Sequence, residues 1–262
     1  MMEGSPDPLL VSFWQRLPLT LDKVLLLDYD GTLAPFKINR EEAVPYDGVR
    51  EILDKILAET NTRVIIVSGR MIDDLLPLLG LNSIPEIWGS HGFERLLPDG
   101  SIEKKLLSDT CSNGLETAYS WVIKEGHEAH CEKKPSSVAF HFRGLQKEIQ
   151  KELTQKVKFA WEPIAHDGNL EIHSFDGGLE LRVPDVNKGE VVVRILTESD
   201  DQAILAYLGD DLTDEDAFKA LKGKGLSFLV RKEFRETLAD CWLVPPNGLL
   251  DFLNNWYRLA RP

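Results

Sequence analysis

Several short apolar runs in this chain end in small or acidic residues. Val24–Leu27 is followed by Asp28, Val64–Val67 by Ser68-Gly69-Arg70, Ile204–Leu208 by Gly209-Asp210-Asp211, and a short segment at 86–89 by Ser90-His91-Gly92. Runs of this length without polar alternation suit strands covered on both faces of a parallel sheet. Helix-periodic segments lie between them. The pattern predicts strand 24–28, helix 46–59, strand 63–67, helix 72–78 and strand 86–89, then helix 188–197, strand 203–208, helix 214–222 and strand 226–230. Such alternation implies a doubly wound, Rossmann-like α/β core.

Between these two blocks the pattern changes. Residues 112–124 read as a helix with Leu115, Ala118, Tyr119 and Val122 on one face, followed by short strands at 128–133 and 137–142. A helix at 145–159 follows, with apolar residues at 145, 149, 153 and 157. Strands 170–175 and 178–183 are joined by Asp176-Gly177, a hairpin signal. The order αββαββ predicts an α+β cap domain at 109–183, inserted into a core made of 1–108 and 184–262. A cap placed there could close over the strand ends and exclude water.

Composition narrows the partners. The chain has 262 residues, 43% of them apolar, enough for a large core. Its formal charge of −13 makes nucleic acid or an anionic membrane a poor partner. Cys111, Cys131 and Cys241 are an odd, widely spaced set, which suits reduced thiols. Residues 1–8 carry no basic, apolar leader pattern, and no run approaches the ~18 apolar residues of a membrane span. A soluble cytoplasmic protein is expected.

The strand ends carry the candidate chemistry, since open α/β sheets place ligands there. If the chain stays extended through Tyr29, Asp28 and Asp30 project to the same side. Gly31 allows a sharp turn and a close amide. The plain alternative is a strand followed by an Asp-Gly turn. Ser68-Gly69 could offer a hydroxyl and amides to a phosphate oxygen, or could simply be a turn. Lys188, in Asn187-Lys188-Gly189, is either a fixed cation at a helix start or a solvated lysine. Asp214–Asp216 suit the start of a helix, which leaves Asp210 and Asp211 unaccounted for. His91 reads equally as a structural histidine or a substrate contact.

Taken in order, D-x-D-G-T, S-G-R, N-K-G and G-D-D-x-x-D-E-D resemble the four motifs of the haloacid dehalogenase superfamily of phosphatases. The segments Asp28–Phe36, Gly89–Gly92, Leu179–Arg182 and Asn187–Gly189 narrow the resemblance to its trehalose-6-phosphate phosphatase family. The resemblance implies hydrolysis of trehalose 6-phosphate, or of a related sugar phosphate, through an aspartyl phosphate; a noncatalytic sugar-phosphate sensor is the alternative. It casts Asp28 as nucleophile and Asp30 as general acid and base, with a pKa raised by burial or adjacent negative charge while Asp28 stays ionised. Ser68 and Lys188 would hold the phosphoryl group, with Gly31, Thr32, Gly69 and Arg70 around it. Mg2+ would sit on Asp28, the Asp30 carbonyl and Asp210, while Asp211 and Asp214 hold its waters or Lys188. Such local cations would offset the acidic surface. Glu132, Lys134, Arg143, Glu180 and Arg182 would contact the sugar, with His91 nearby. The expected partner is a small sugar phosphate. A monomer is implied, with functional pairing to a sugar-phosphate synthase as an option.

Overall fold

The computed structural model describes residues 8–262 apart from 38, 143 and 176. They form two compact units, one running up to Glu103 and resuming at Lys188–Pro262, the other spanning Lys104–Asn187.

In the first unit, α1 (Pro8–Arg16) precedes β1 (Lys23–Asp28), α2 (Val49–Glu59), β2 (Thr62–Val67), α3 (Ile72–Leu79), β3 (Glu86–Gly89), β4 (Glu94–Leu96) and β5 (Ile102–Lys104). The second unit contributes α4 (Asp109–Lys124), β6 (Cys131–Lys134), β7 (Ser137–His141), α5 (Lys147–Gly168), β8 (Glu171–Phe175) and β9 (Gly178–Arg182). The first unit then resumes with α6 (Lys188–Glu198), β10 (Ile204–Gly209), α7 (Glu215–Leu221), β11 (Leu226–Val230), β12 (Cys241–Leu243) and α8 (Asn247–Ala260).

The larger sheet has the order β12-β11-β10-β1-β2-β3-β4-β5. It is parallel from β12 to β3 and turns antiparallel at β4. β1 is central, and its side chains alternate between two apolar layers. Leu25 and Leu27 join Ile52, Leu75, Leu249, Phe252 and Trp256 on one face, the side of α2, α3 and α8. Val24 and Leu26 join Val191, Ile195, Phe218 and Leu221 on the other, the side of α6 and α7. Both faces being covered explains why β1 reads as an unbroken apolar run. The chain is therefore a doubly wound α/β protein.

The second unit is a four-stranded antiparallel sheet in the order β6-β7-β9-β8, carrying α4 and α5. Val138, Phe140, Leu179 and Leu181 are buried on one face. On the other, strand register lines up Glu132, Ala139, Glu180 and His173 in one row, and Lys134, Ser137, Arg182 and Glu171 in the next.

Three expectations differ from the structure. The helix expected to end at 159 runs on to Gly168, because Val157, Trp161, Ala165 and Gly168 continue its buried stripe while Pro163 lies on the solvent side. Of the stripe expected at 145, 149, 153 and 157, only Val157 is buried. The strand expected from 128 starts at Cys131, after a 3-10 turn at Glu128–His130. Five elements, α1, β4, β5, β12 and α8, lie outside the sequence expectations. Asp176 of the expected hairpin lies outside the described residues, and Gly177 beside it has φ +93°.

Candidate active site

The carboxyl ends of β1, β2 and β10 converge with the first residue of α6. Asp28 closes β1 and is buried; its Oδ2 accepts a hydrogen bond from Thr32 Oγ1 at 3.0 Å, and its Oδ1 accepts one from Lys188 Nζ at 2.7 Å. Lys188 also donates to Asp214 Oδ1 at 2.7 Å, so one buried ammonium joins two carboxylates. Burial works against the charge on Lys188, but Asp214 and Asp28 outweigh it and push its pKa up.

The chain does not stay extended after Asp28. The Tyr29 carbonyl accepts from the amides of Leu33 and Ala34, curling residues 29–34 into a turn. Asp28 and Asp30 consequently serve different partners. Asp30 pairs bidentately with Arg70, Nε to Oδ2 at 2.7 Å and Nη2 to Oδ1 at 2.6 Å. Its expected surroundings, burial or neighbouring negative charge, are replaced by a guanidinium, and the side chain keeps 27% of its exposure. Gly31 has φ +87°, and a Cβ there would lie 2.2 Å from Asp210 Oδ2. Only glycine fits both constraints.

Ser68 is buried at the end of β2, and its Oγ accepts from the Arg70 amide at 3.1 Å. The adjoining loop takes an uncommon conformation: Ser90 and His91 have φ of 50° and 58°. Their amides donate to the carbonyls of Arg70 at 2.7 Å and Ser68 at 2.9 Å, which holds the strain in place. Gly69 makes room for the His91 ring, whose atoms would lie 2.6 Å from a Cβ at that position. His91 thus packs on the Ser68–Arg70 turn.

Asp28, Asp210 and Asp214 offer oxygens that all lie within 4.8 Å of one another. Their roles divide by hydrogen bonding. Asp214 accepts four bonds, from Lys188 Nζ and Tyr207 OH on Oδ1 and from the amides of Asp210 and Asp211 on Oδ2. That fills the roughly four acceptor positions of a carboxylate. Asp210 is buried, and its Oδ1 has no hydrogen-bond partner among the described residues. A buried carboxyl oxygen without a partner beside Asp28 is costly unless a cation completes it. Three buried carboxylates against one lysine, all oxygen donors, fit a hard divalent cation held by Asp28 and Asp210. Asp211 is not in this group; its carboxylate caps the 3-10 turn at Leu212–Asp214.

Crowding shifts the protonation of this cluster. Burial first, then Asp214, raise the Asp28 pKa from 3.8 to about 7 against the opposing pull of Lys188. Burial, with Asp28 and Asp214, likewise raises Asp210 well above the carboxylate range. In the cation-free cluster the shift runs toward the proton, opposite in direction to the expectation that Asp28 stays ionised, because burial and a second carboxylate disfavour its charge. A bound cation would reverse that balance.

The residues expected to touch the sugar lie in the second unit. Glu132 Oε2 is 3.3 Å from His141 Nε2 and 3.9 Å from Lys134 Nζ, and Ser137 Oγ donates to Glu180 Oε1 at 2.7 Å. Lys134, Glu180 and Arg182 are buried charged residues on one face of the small sheet. Arg143 lies outside the described residues. Tyr207 and Arg235 were not expected. Arg235 Nη2 donates to the Asp211 carbonyl at 2.8 Å and so props the acidic loop. Its neighbour Glu215 ties that loop to Leu238 N at 2.7 Å. Neither residue carried a signal, since each stands outside the motifs in sequence.

Curated proteins include relatives of this chain. The chain is 32% identical over 266 residues to an uncharacterized glycosyl hydrolase of Mycobacterium tuberculosis, covering 95% of this chain and 19% of that protein. It is 32% identical over 218 residues to the trehalose-phosphate phosphatase of Mycobacterium marinum, covering 79% and 53%. The chain thus spans between about a fifth and about half of these relatives' lengths. The C-terminal domain of Candida albicans trehalose-6-phosphate phosphatase superposes with a TM-score of 0.79 at 21% identity, covering 97% of this chain and 98% of that one. That likeness is one of fold. The trehalose-phosphatase family model matches residues 26–238, a span that begins inside β1 and takes in every strand-end residue described above. The chain belongs to the trehalose-phosphatase family.

Proposed function

We propose that this chain is a magnesium-dependent phosphatase that hydrolyses trehalose 6-phosphate to trehalose and phosphate through an aspartyl phosphate on Asp28. The observation that carries the reading is the Asp28 carboxylate, held between Thr32 and Lys188 beside the orphaned oxygen of Asp210. Trehalose phosphate enters from the family and from the names of the relatives.

Phosphate monoesters are among the slowest substrates to hydrolyse unaided, with enzymatic accelerations up to ~10²¹. Splitting the displacement in two is one remedy. An Asp28 oxygen attacks phosphorus, the bond from phosphorus to the sugar oxygen breaks, and Asp30 gives that oxygen a proton. Water then attacks the acyl phosphate, Asp30 takes the water's proton, and phosphate leaves with Asp28 regenerated. Ser68 and Lys188 place donors for the non-bridging oxygens, where charge develops. Mg2+ held by Asp28 and Asp210, with the Asp30 carbonyl as the third protein oxygen, would neutralise the nucleophile and the phosphoryl oxygens. Arg70 orients Asp30 and must yield the carboxyl when its proton is needed.

The 109–183 segment acts in this reading as a cap whose Glu132, Lys134, Glu180 and Arg182 recognise the sugar. The reading extends to a cytoplasmic monomer. Among the described residues, no helix is long and apolar enough to cross a membrane. A phosphate-release assay over a panel of sugar phosphates, with and without Mg2+, tests the function. Preference for trehalose 6-phosphate is expected; equal or better turnover of another glycosyl phosphate would reassign the substrate, and no release from any would remove the enzyme.

A further inference from the structure

Tyr207 sits in the middle of the sheet on β10, three residues before Asp210, and the mechanism above gives it no role. Its side chain is fully buried in the layer formed with α6 and α7, its ring edge-on to Phe218 at 5.7 Å. A phenylalanine would satisfy that packing. The hydroxyl brings an extra polar group into an apolar layer, where it is costly unless bonded. Its bond is specific: OH to Asp214 Oδ1 at 2.7 Å, the same oxygen that receives Lys188 Nζ at 2.7 Å.

The geometry around Asp214 shows what that bond does. A lysine ammonium is a point charge on a flexible stem, so its direction has to be imposed from outside. Asp28 and Asp214 each take one of the three Lys188 protons, which leaves the third to a phosphoryl oxygen. Asp214 can impose direction only if it cannot turn. The Asp210 and Asp211 amides fix its Oδ2, at 3.0 and 2.9 Å, while Tyr207 fixes its Oδ1 from the strand beneath. Without the phenol, Oδ1 has an open acceptor position, Asp214 can rotate toward water or a cation, and the ammonium follows it.

We propose that Tyr207 is a positioning residue which, by holding Asp214 Oδ1, aims Lys188 at the phosphoryl group beside Asp28. This rests on the phosphatase reading above. Tyr207 touches neither substrate nor metal and acts only through Asp214.

The test is Tyr207→Phe, which keeps the ring and removes the hydroxyl. Its kcat on trehalose 6-phosphate should fall by about 10-fold, the scale of a lost hydrogen bond to a charged group. The half-saturating Mg2+ concentration should stay close to the parent's, while the thermal midpoint falls by a few degrees at most, the cost of one buried bond. A kcat within twofold of the parent's would overturn the inference. So would a kcat loss accompanied by a weakened response to Mg2+ or by loss of the cooperative unfolding transition, which marks a merely structural role. A second measurement does not depend on turnover: calorimetric binding of orthovanadate, an oxyanion of phosphoryl shape, to the parent, Tyr207→Phe, Lys188→Met and the double variant. Tyr207→Phe should weaken vanadate binding when Lys188 is present and have no effect when it is absent. Equal weakening in both backgrounds would show that Tyr207 does not act through Lys188. An inactive parent would remove the phosphatase reading itself, whereas an active parent matched by Tyr207→Phe removes only this inference.

Discussion

Arg70 grips Asp30 with both arms of its guanidinium, at 2.7 and 2.6 Å, and is itself almost fully buried. Lysine can neutralise that carboxylate but cannot reproduce the fork. Arg70→Lys should therefore lose roughly 10-fold in kcat/KM, the scale of one charge-assisted bond. Steady-state kinetics on trehalose 6-phosphate check this. A variant within twofold of the parent would show that charge, and not orientation, is what Asp30 receives.

Asp28→Asn should abolish both phosphate release and acid-stable protein-bound phosphate while leaving the fold intact. It removes one charge from three buried carboxylates facing a single lysine, so the thermal midpoint should not fall by more than a few degrees. Circular dichroism melts and a radiolabelled phosphate trap measure the two halves. Measurable turnover in clean protein would sink the covalent route.

The same substitution gives a pH test. The folded-state Asp28 pKa, about 7, stands above the ordinary 3.8 of the unfolded chain, so the folded protein binds the proton more tightly. The stability this contributes is fully present below about 3.8 and is lost as pH rises through about 7. In chelator-treated buffer, the midpoint of Asp28→Asn relative to the parent should therefore rise between pH 5 and pH 8. Parallel melting curves across that range would count against a protonated Asp28.

Metal removal has a readout apart from activity. A ligand that binds only the folded state at 100 times its Kd stabilises by about 2.7 kcal/mol. Mg2+ should raise the parent's thermal midpoint and restore activity after chelation, and Asp210→Asn should lose both responses. An unchanged Mg2+ shift in that variant would move the ion away from Asp210.

Sugar selection should separate from phosphoryl transfer. Glu132→Ala and Lys134→Ala are expected to lower kcat/KM for trehalose 6-phosphate by roughly 10-fold or more, given the value of hydrogen bonds to charged groups. Hydrolysis of a small aryl phosphate should change far less. An unchanged ratio of the two specificity constants would make these residues loop surface.

Strand ends were legible because burial and chemistry change abruptly there: Val24–Leu27 suits a strand covered on both faces, and Asp28 follows it directly, opening the first of four motifs whose order, more than any one alone, pointed to a site. The direction of Asp30 was not legible. Its partner Arg70 lies on another strand end, and the turn that redirects it is built from the backbone bonds of Tyr29. Tyr207 was hidden for a related reason. Inside an apolar run its ring reads as one more core residue, and its hydroxyl matters only once Asp214 is found beneath Lys188. The helix expected to stop at 159 runs on through Pro163 to Gly168, because Trp161, Ala165 and Gly168 continue its buried stripe, a packing relation that the segment 145–159 alone does not contain.

Gly31 and Asp210 are 179 positions apart in the chain, yet the space a Cβ would need at one is filled by the carboxylate of the other. The two motifs are in effect a single part cut in two, since no L side chain at 31 is compatible with the acid at 210 in its present place. Exchange of either segment with a distant relative has to carry both sides of that contact together. A chimaera joined between them inherits a fit that neither parent sequence displays on its own.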